Sequence, residues 1–316
     1  MKTKLKFIFL SVSLTLFATA LIIYPERYVS ACLGGWVLWA ECVLPSLFPF
    51  SVIALFLTKS GIAERVSLPL RRVTGVFHLP PTAAVCFAIS ICSGYPVGAR
   101  VLAEMYQGGQ LNAADVKKLA PLCSSSGPLF ILGTVGYKML NSKFYGFIIL
   151  ACHILSVLLS SLIFCLFTKK SKNEKPYIVN NETEILYNTF YSATISVAVA
   201  GGFISFFSVL SKILSDFYVL YPIELAISPL LGKDGASGFL AALVEVTTGC
   251  LALSKCNPTL AVPLIGFAIT FGGGCILCQQ LAYLKKARVN TLYFVTAKAV
   301  QGGVCFAALK IILLLC

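Results

Sequence analysis

The stretch SICSGYPVGARVLAEM, residues 90–105, decides the fold. It continues an apolar run that begins at Leu79, yet it carries Ser93, Gly94, Pro96 and Gly98, then Arg100, where an uninterrupted helix would be expected. The apolar part at 79–92 and the part beyond the break at 97–106 are each short of the ~20 residues that a helical membrane span needs. Gln107-Gly108-Gly109 ends the second part. Two half-length helices around a Gly/Pro tip read as a re-entrant hairpin. In hydrocarbon, each backbone N–H or C=O that such a break leaves unpaired costs several kcal/mol, so a break survives only where it is buried in protein or lines a wet cavity.

Composition supports the membrane reading. Of 316 residues 58% are hydrophobic and only 12% charged, against about a quarter charged in soluble domains; the mean hydropathy is +0.88. No stretch is large and polar enough for a sizeable soluble domain. The net charge of +13 would suggest nucleic acid in a soluble chain. Here the basic residues sit in short loops between apolar runs, so membrane topology accounts for them. Thirteen cysteines are scattered through apolar segments, and Cys275 and Cys278 form a lone C-x-x-C. They read as small buried hydrophobes, and no metal site is expected.

Along the chain, Lys2, Lys4 and Lys6 precede an uncharged run at 7–24, expected to be a retained helix although Ala18-Thr19-Ala20 resembles a cleavage site. The run at 28–58 holds one charge, Glu41, and two prolines, Pro45 and Pro49. A basic loop and the hairpin at about 79–107 follow. A broken span at 112–137 is interrupted by Ser124-Ser125-Ser126-Gly127-Pro128, and an unbroken span occupies 144–168. The polar, lysine-rich stretch at 169–186 divides the chain. The second half repeats the order: a span at 185–211, a mixed stretch at 218–233, a second hairpin at about 235–254 with Glu245-Val246-Thr247-Thr248-Gly249 at its tip, a span at 258–284 broken by Phe271-Gly272-Gly273-Gly274, and a last span at 289–316.

With the N-terminus in the cytoplasm and both hairpins re-entrant, the basic loops near 2–6, 59–72, 100–118, 169–175 and 285–288 share one side. They hold 17 of the 25 Lys and Arg residues, the asymmetry that the positive-inside rule requires. The first hairpin then enters from the cytoplasm and the second from outside, so the halves form an inverted repeat. Phe50-Ser51-Val52 echoes Phe207-Ser208-Val209, and Ser93-Gly94 echoes Thr248-Gly249. The fold class is an all-α polytopic membrane protein.

Four breaks, two per half in matching order, are expected to meet, as they do around the solute sites of secondary transporters. Helix N-termini favour anions. Gly94, Gly98, Gly127, Gly249, Gly272, Gly273 and Gly274 admit close backbone approach. Ser93, Ser124, Ser125, Ser126, Thr247 and Thr248 offer hydroxyl donors. Arg100 either grips an anion in bidentate fashion or pairs with Glu104 one turn on. Glu245 either carries a coupling proton, binds a cation or accepts from a solute, or else caps free N–H groups. Gln279 is expected to point into the same cavity. Glu41 reads as a structural partner and His153 as a hydrogen-bonded packing residue. Lys298 and Lys310 are expected to snorkel to interfaces. No H-E-x-x-H, G-x-S-x-G or phosphate-binding glycine loop occurs, so no enzyme and no cofactor are expected; the coupling ion, proton or sodium, stays open.

Leu44-Pro-Ser-Leu-Phe-Pro-Phe50, Ser93-Gly-Tyr-Pro-Val-Gly-Ala99, Ser126-Gly-Pro-Leu-Phe130, Glu245-Val-Thr-Thr-Gly249, and Phe271-Gly-Gly-Gly274 with Gln279 resemble the YlbJ-like sporulation integral membrane proteins (stage V sporulation protein VV). That family carries nucleoside-recognition Gate domains and is related to concentrative nucleoside transporters. Where its pattern has asparagine before the serines of the first broken span, this chain has Cys123. The resemblance implies an N-terminal helix at 1–28, a first Gate repeat at 29–143, a linking helix at 144–168, a cytoplasmic loop at 169–186, a second Gate repeat at 187–288 and a terminal helix at 289–316. It implies a carrier for dipicolinic acid in the mother-cell-derived outer forespore membrane, with Tyr95 or Phe130 stacking on the ring, Pro96 shaping the tip, and the serines, helix ends and Arg100 meeting the carboxylates. Its partners would be a small-molecule solute and the lipid bilayer, not nucleic acid, with a homo-oligomer left open. A nucleoside or nucleobase transporter and a non-transporting sporulation scaffold are the competing readings.

Overall fold

The computed structural model describes residues 2–166 and 182–315, and among them there are helices but no strand. The expected loop at 169–186 lies outside the described residues as far as residue 181. Five stretches among the described residues are long and apolar enough to cross a membrane: Pro25–Lys59, Lys143–Cys165, Ile185–Asp216, Pro258–Ala287 and Thr291–Leu315. The chain is an all-α polytopic membrane protein.

Helix α1 (Lys2–Ile23) leads into α2 (Pro25–Leu38), a π-helical turn (Trp39–Val43) and α3 (Leu44–Lys59). The wide turn has a covalent cause. Pro45 has no N–H for the carbonyl of Glu41, and Pro49 none for that of Pro45, so the helical ladder lapses there. The α2–α3 unit lies against α10 (Glu182–Asp216). Small residues allow the approach: a Cβ on Gly35 would lie 2.6 Å from Ser205 Cα, and one on Gly201 would enter the Trp36 and Trp39 rings. Trp39 Nε1 donates to the Val197 carbonyl at 3.0 Å, and Ser205 Oγ to that of Cys32 at 2.6 Å.

Two short helices, α4 (Ile62–Ser67) and α5 (Arg71–Val76), precede the hairpin of α6 (Ala83–Ser93) and α7 (Val97–Gln107). Each arm has 11 residues, about 16 Å at 1.5 Å per residue, half of a ~30 Å hydrocarbon layer. Helix α8 (Ala113–Leu122) starts on a capping box of Asn112 and Asp115. It unwinds over residues 123–127, and the chain resumes as a π-helical segment (Phe130–Met139). The unbroken α9 (Lys143–Leu166) closes the first half.

After α10 come α11 (Tyr221–Val244), α12 (Val246–Leu253), α13 (Pro258–Phe271), α14 (Gly273–Leu284) and α15 (Thr291–Leu315). Non-helical Gly232 (φ 71°, ψ 164°) divides Tyr221–Val244 into two helices, next to the boundary between the stretches at 218–233 and 235–254. The structure differs from the sequence reading at the second tip. The second tip is a single residue, Glu245, in extended conformation (φ −137°, ψ 113°). Gly249 therefore lies inside α12 and not at the turn, so its echo of Gly94 does not align the two tips. Its missing side chain serves packing: a Cβ there would fall 2.1 Å from Ala242 of the opposite arm.

Among the described residues, basic groups from three segments come close together. Lys59 Nζ reaches the Asn188 carbonyl at 3.2 Å and Ser192 Oγ at 3.1 Å, Arg100 donates to the Ser192 carbonyl, and the turn Lys285–Ala287 packs on α7 and α8. One buried apolar cluster joins α3, α6, α7 and α8, and another joins α9, α12, α13 and α15. The first broken helix passes from one to the other, with Cys123 in the former and Ile131 in the latter.

Candidate functional site

Each break orphans backbone groups that a helix would have paired, and side chains from distant elements take them up. Pro128 has no N–H, so the carbonyl of Ser124 loses its donor four residues on; Lys298 Nζ of α15 donates to it at 2.7 Å. The Pro121 carbonyl, freed by the unwinding, accepts from Gln301 Nε2 at 3.0 Å. The Ser126 N–H donates to His153 Nε2 of α9 at 3.0 Å. A ring nitrogen that accepts a backbone N–H carries no proton, so the imidazole is the neutral Nδ1–H tautomer, with Nδ1 2.9 Å from Thr270 Oγ1 of α13.

The first tip rests on the first broken helix. Gly94 has φ +74°, and a Cβ there would lie 2.7 Å from Gly127 N. The position needs glycine for both reasons. Ser93 Oγ donates to the Phe50 carbonyl of α3 at 3.2 Å. Tyr95 crosses to the other half: its hydroxyl donates to the Ile269 carbonyl at 3.0 Å and lies 3.3 Å from that of Thr270. Those two carbonyls lost their helical donors where Gly272 (φ +97°) bends the chain. At the second tip the Glu245 carboxylate accepts from Thr247 N at 3.0 Å and from Thr248 N and Oγ1, both at 2.7 Å. It is the N-cap of α12. Gly273 seats the fourth break on this tip, where a Cβ would meet the Ala242 carbonyl at 2.7 Å.

Three of the four breaks line one cavity, and residues on either side of the fourth complete it. Ser93, Gly94 and Tyr95 come from the first, Ser126 and Gly127 from the second, Glu245 and Thr247 from the third, and Ile269, Ile276 and Gln279 flank the fourth; Phe130 and residues of α3 and α10 complete the wall. About 70 Å³ of it admits a water-sized molecule, within about 690 Å³ of space that includes the open mouth. Among the described residues no basic side chain lines it. A second cavity shares Ala200 and Gln279 with it and is lined by Pro96, Tyr283 and Lys286.

Other residues singled out from sequence lie off this wall. Arg100 pairs with Glu104 Oε1 of its own helix at 2.9 Å and donates to the Ser192 carbonyl of α10. One turn into α7, it has left the tip. Ser124 Oγ donates to Gln280 Oε1, Ser125 Oγ lies 2.9 Å from His153 Nε2, and the Thr248 hydroxyl is engaged by Glu245. Gly98 seats α7 on the Cys123 carbonyl, and Gly274 faces Phe207. At Gly98, Gly249 and Gly273 the close approach is between parts of the chain itself. Lys298 does not snorkel: its side chain is fully buried, held by the carbonyl that Pro128 left free. Lys310 is exposed and lies 3.4 Å from the Thr259 carbonyl, the group deprived of its helical donor by Pro263. Glu41 is exposed. Lys298, Gln301 and His153 are the residues that composition undervalued. One signal was present: Lys298 and Gln301, three apart on one face of an apolar helix, are costly in lipid and must face protein.

Fold and site together define a polytopic helical membrane protein whose broken helices meet around a cavity. No protein-family model matches the chain. It is 25% identical, over 336 aligned positions covering 96% of this chain and 81% of the relative, to the sporulation integral membrane protein YlbJ of Bacillus subtilis (strain 168). The similarity to that protein extends over nearly the whole chain.

Proposed function

We propose that this protein is a secondary carrier, not an enzyme, that moves dipicolinate across the outer forespore membrane during sporulation. The observation that carries the reading is the convergence of three helix breaks, and of the residues flanking a fourth, on one cavity, with Tyr95 and His153 tying the first-half breaks to α13 of the second half. Unwound backbone inside a membrane bundle is tolerated around a solute path. The likeness to a sporulation membrane protein gives the setting. The halves act as inverted Gate repeats with re-entrant hairpins, and the basic segments, with the N-terminus, face the cytoplasm. In the cavity Tyr95 and Phe130 offer ring faces for a planar heteroaromatic solute. Ser126 and Thr247 offer hydroxyls to its carboxylates, and Lys298 Nζ lies behind Tyr95, 5.4 Å from its ring centre.

A nucleoside or nucleobase is the second reading. Glu245 and Gln279 on a wall without basic side chains favour it, since they suit a neutral ligand with N–H and O–H groups. Uptake of labelled dipicolinate into proteoliposomes tests both. We expect saturable uptake that excess unlabelled dipicolinate abolishes and uridine leaves unchanged, and a loss of affinity in Gln279→Leu. Uptake of uridine in place of dipicolinate would select the second reading. Uptake of neither by inserted protein would refute the carrier reading and leave the scaffold.

A further inference from the structure

Lys298 is a fully buried lysine whose hydrogen-bond partners are all oxygen atoms of neutral groups. Nζ lies 2.7 Å from the Ser124 carbonyl, 2.9 Å from Gln301 Oε1 and 3.4 Å from the Tyr95 hydroxyl. The number matches the ion. An ammonium has three N–H donors and no lone pair, and here it has three acceptors; a neutral amine would turn its lone pair on one of them. Each acceptor is also held in its accepting sense. Gln301 gives its amide hydrogens to the Pro121 carbonyl and to Ser161 Oγ at 2.9 Å, which aims Oε1 at the lysine. The Tyr95 hydroxyl commits its hydrogen to α13, which leaves its lone pairs for Nζ. The Tyr95 ring face adds a cation–π contact.

These oxygens come from the first tip, from the first unwound segment and from α15. An unwound backbone carbonyl beside a hairpin tip is the kind of ligand with which carriers built from discontinuous helices hold a coupling sodium ion. Neutral oxygens suit a monovalent cation, and the ammonium supplies that charge at the same place.

We propose that Lys298 is a resident cation: tethered to α15, it occupies the position at which a carrier of this build would bind a monovalent metal ion between the first tip and the unwound segment, so that this half closes without sodium. The inference takes its meaning from the carrier reading, but its test needs no flux and can fail independently. The full chain is purified into nanodiscs, and thermal unfolding is followed in equimolar sodium chloride or choline chloride without added solute. Wild-type protein should unfold at the same temperature in both salts. Lys298→Ala should unfold at a lower temperature in choline and regain roughly 2–4 °C in sodium, as the ion enters the vacated oxygen cage. Stabilisation of the wild type by sodium over choline would overturn the proposal. So would a Lys298→Ala protein that behaves alike in the two salts, since a merely structural cross-link gives that result. If the alanine variant does not insert, Lys298→Gln is read in the same way, and the wild-type comparison retains its power to refute. Loss of dipicolinate uptake with this salt pattern intact would count against the carrier reading alone.

Discussion

Replacing His153 by alanine isolates the linkage between the first unwound segment and the second half. The imidazole is fully buried and accepts from the Ser126 N–H while meeting Thr270 Oγ1. Ser126 is itself 4% exposed, so water does not readily replace the lost acceptor. An orphaned buried N–H costs about 1–3 kcal/mol, and the lost Thr270 bond contributes about 0.5–1.5 kcal/mol more. Ser125 adds little, because its hydroxyl retains the Ser126 carbonyl at 3.2 Å. The sum is about 1.5–4.5 kcal/mol, or a fall in unfolding temperature of about 2–7 °C for a chain of this size. Thermal unfolding of purified protein in detergent, monitored by tryptophan fluorescence, measures it. His153→Gln, whose amide oxygen still accepts, should recover part of the loss. An alanine variant within about 0.5 kcal/mol of wild type, the range of an ordinary surface change, would show that the Ser126 N–H is hydrated and that the break is not the dry junction argued above.

Two further outcomes separate packing from solute contact. Gly94→Ala combines a positive φ with a Cβ 2.7 Å from backbone, whereas a Cβ on Gly127 meets nothing closer than 3.6 Å. The first should lose about 2–4 kcal/mol through strain and overpacking, and Gly127→Ala less than about 1 kcal/mol; unfolding temperatures of the pair check the order. Arg100→Ala should lower stability by about 1–2 kcal/mol, through its bonds to Glu104 and the Ser192 carbonyl, yet leave the half-saturation of dipicolinate uptake within about twofold, a change worth less than 0.5 kcal/mol. A tenfold rise with unchanged stability would put Arg100 in the solute path.

Much of the fold was legible because lipid punishes irregular backbone. A Ser-Gly-Tyr-Pro tip or a Ser-Ser-Ser-Gly-Pro run inside apolar sequence reports a broken helix wherever the rest of the chain goes. Residues 93–96, 123–127 and 272 break where their composition indicates. The second tip was read too broadly, because Thr248-Gly249 looks like a turn while Glu245 alone supplies it by capping α12. Which groups answer the breaks was not legible. Nothing local to Lys298 shows that it meets a carbonyl 174 positions away, or that His153 bridges residues 126 and 270. Nor does the sequence tell whether a glycine's missing side chain makes room for solute or, as at Gly98, for the chain itself. Local chemistry by itself determined that this is a membrane protein of apolar helices and where most of those helices fail, since a proline removes its hydrogen bond, and a glycine can admit a bend, within four residues. Only the tertiary structure decided which side chains complete the failed turns and which face the cavity, because those partners are brought together by packing between distant helices.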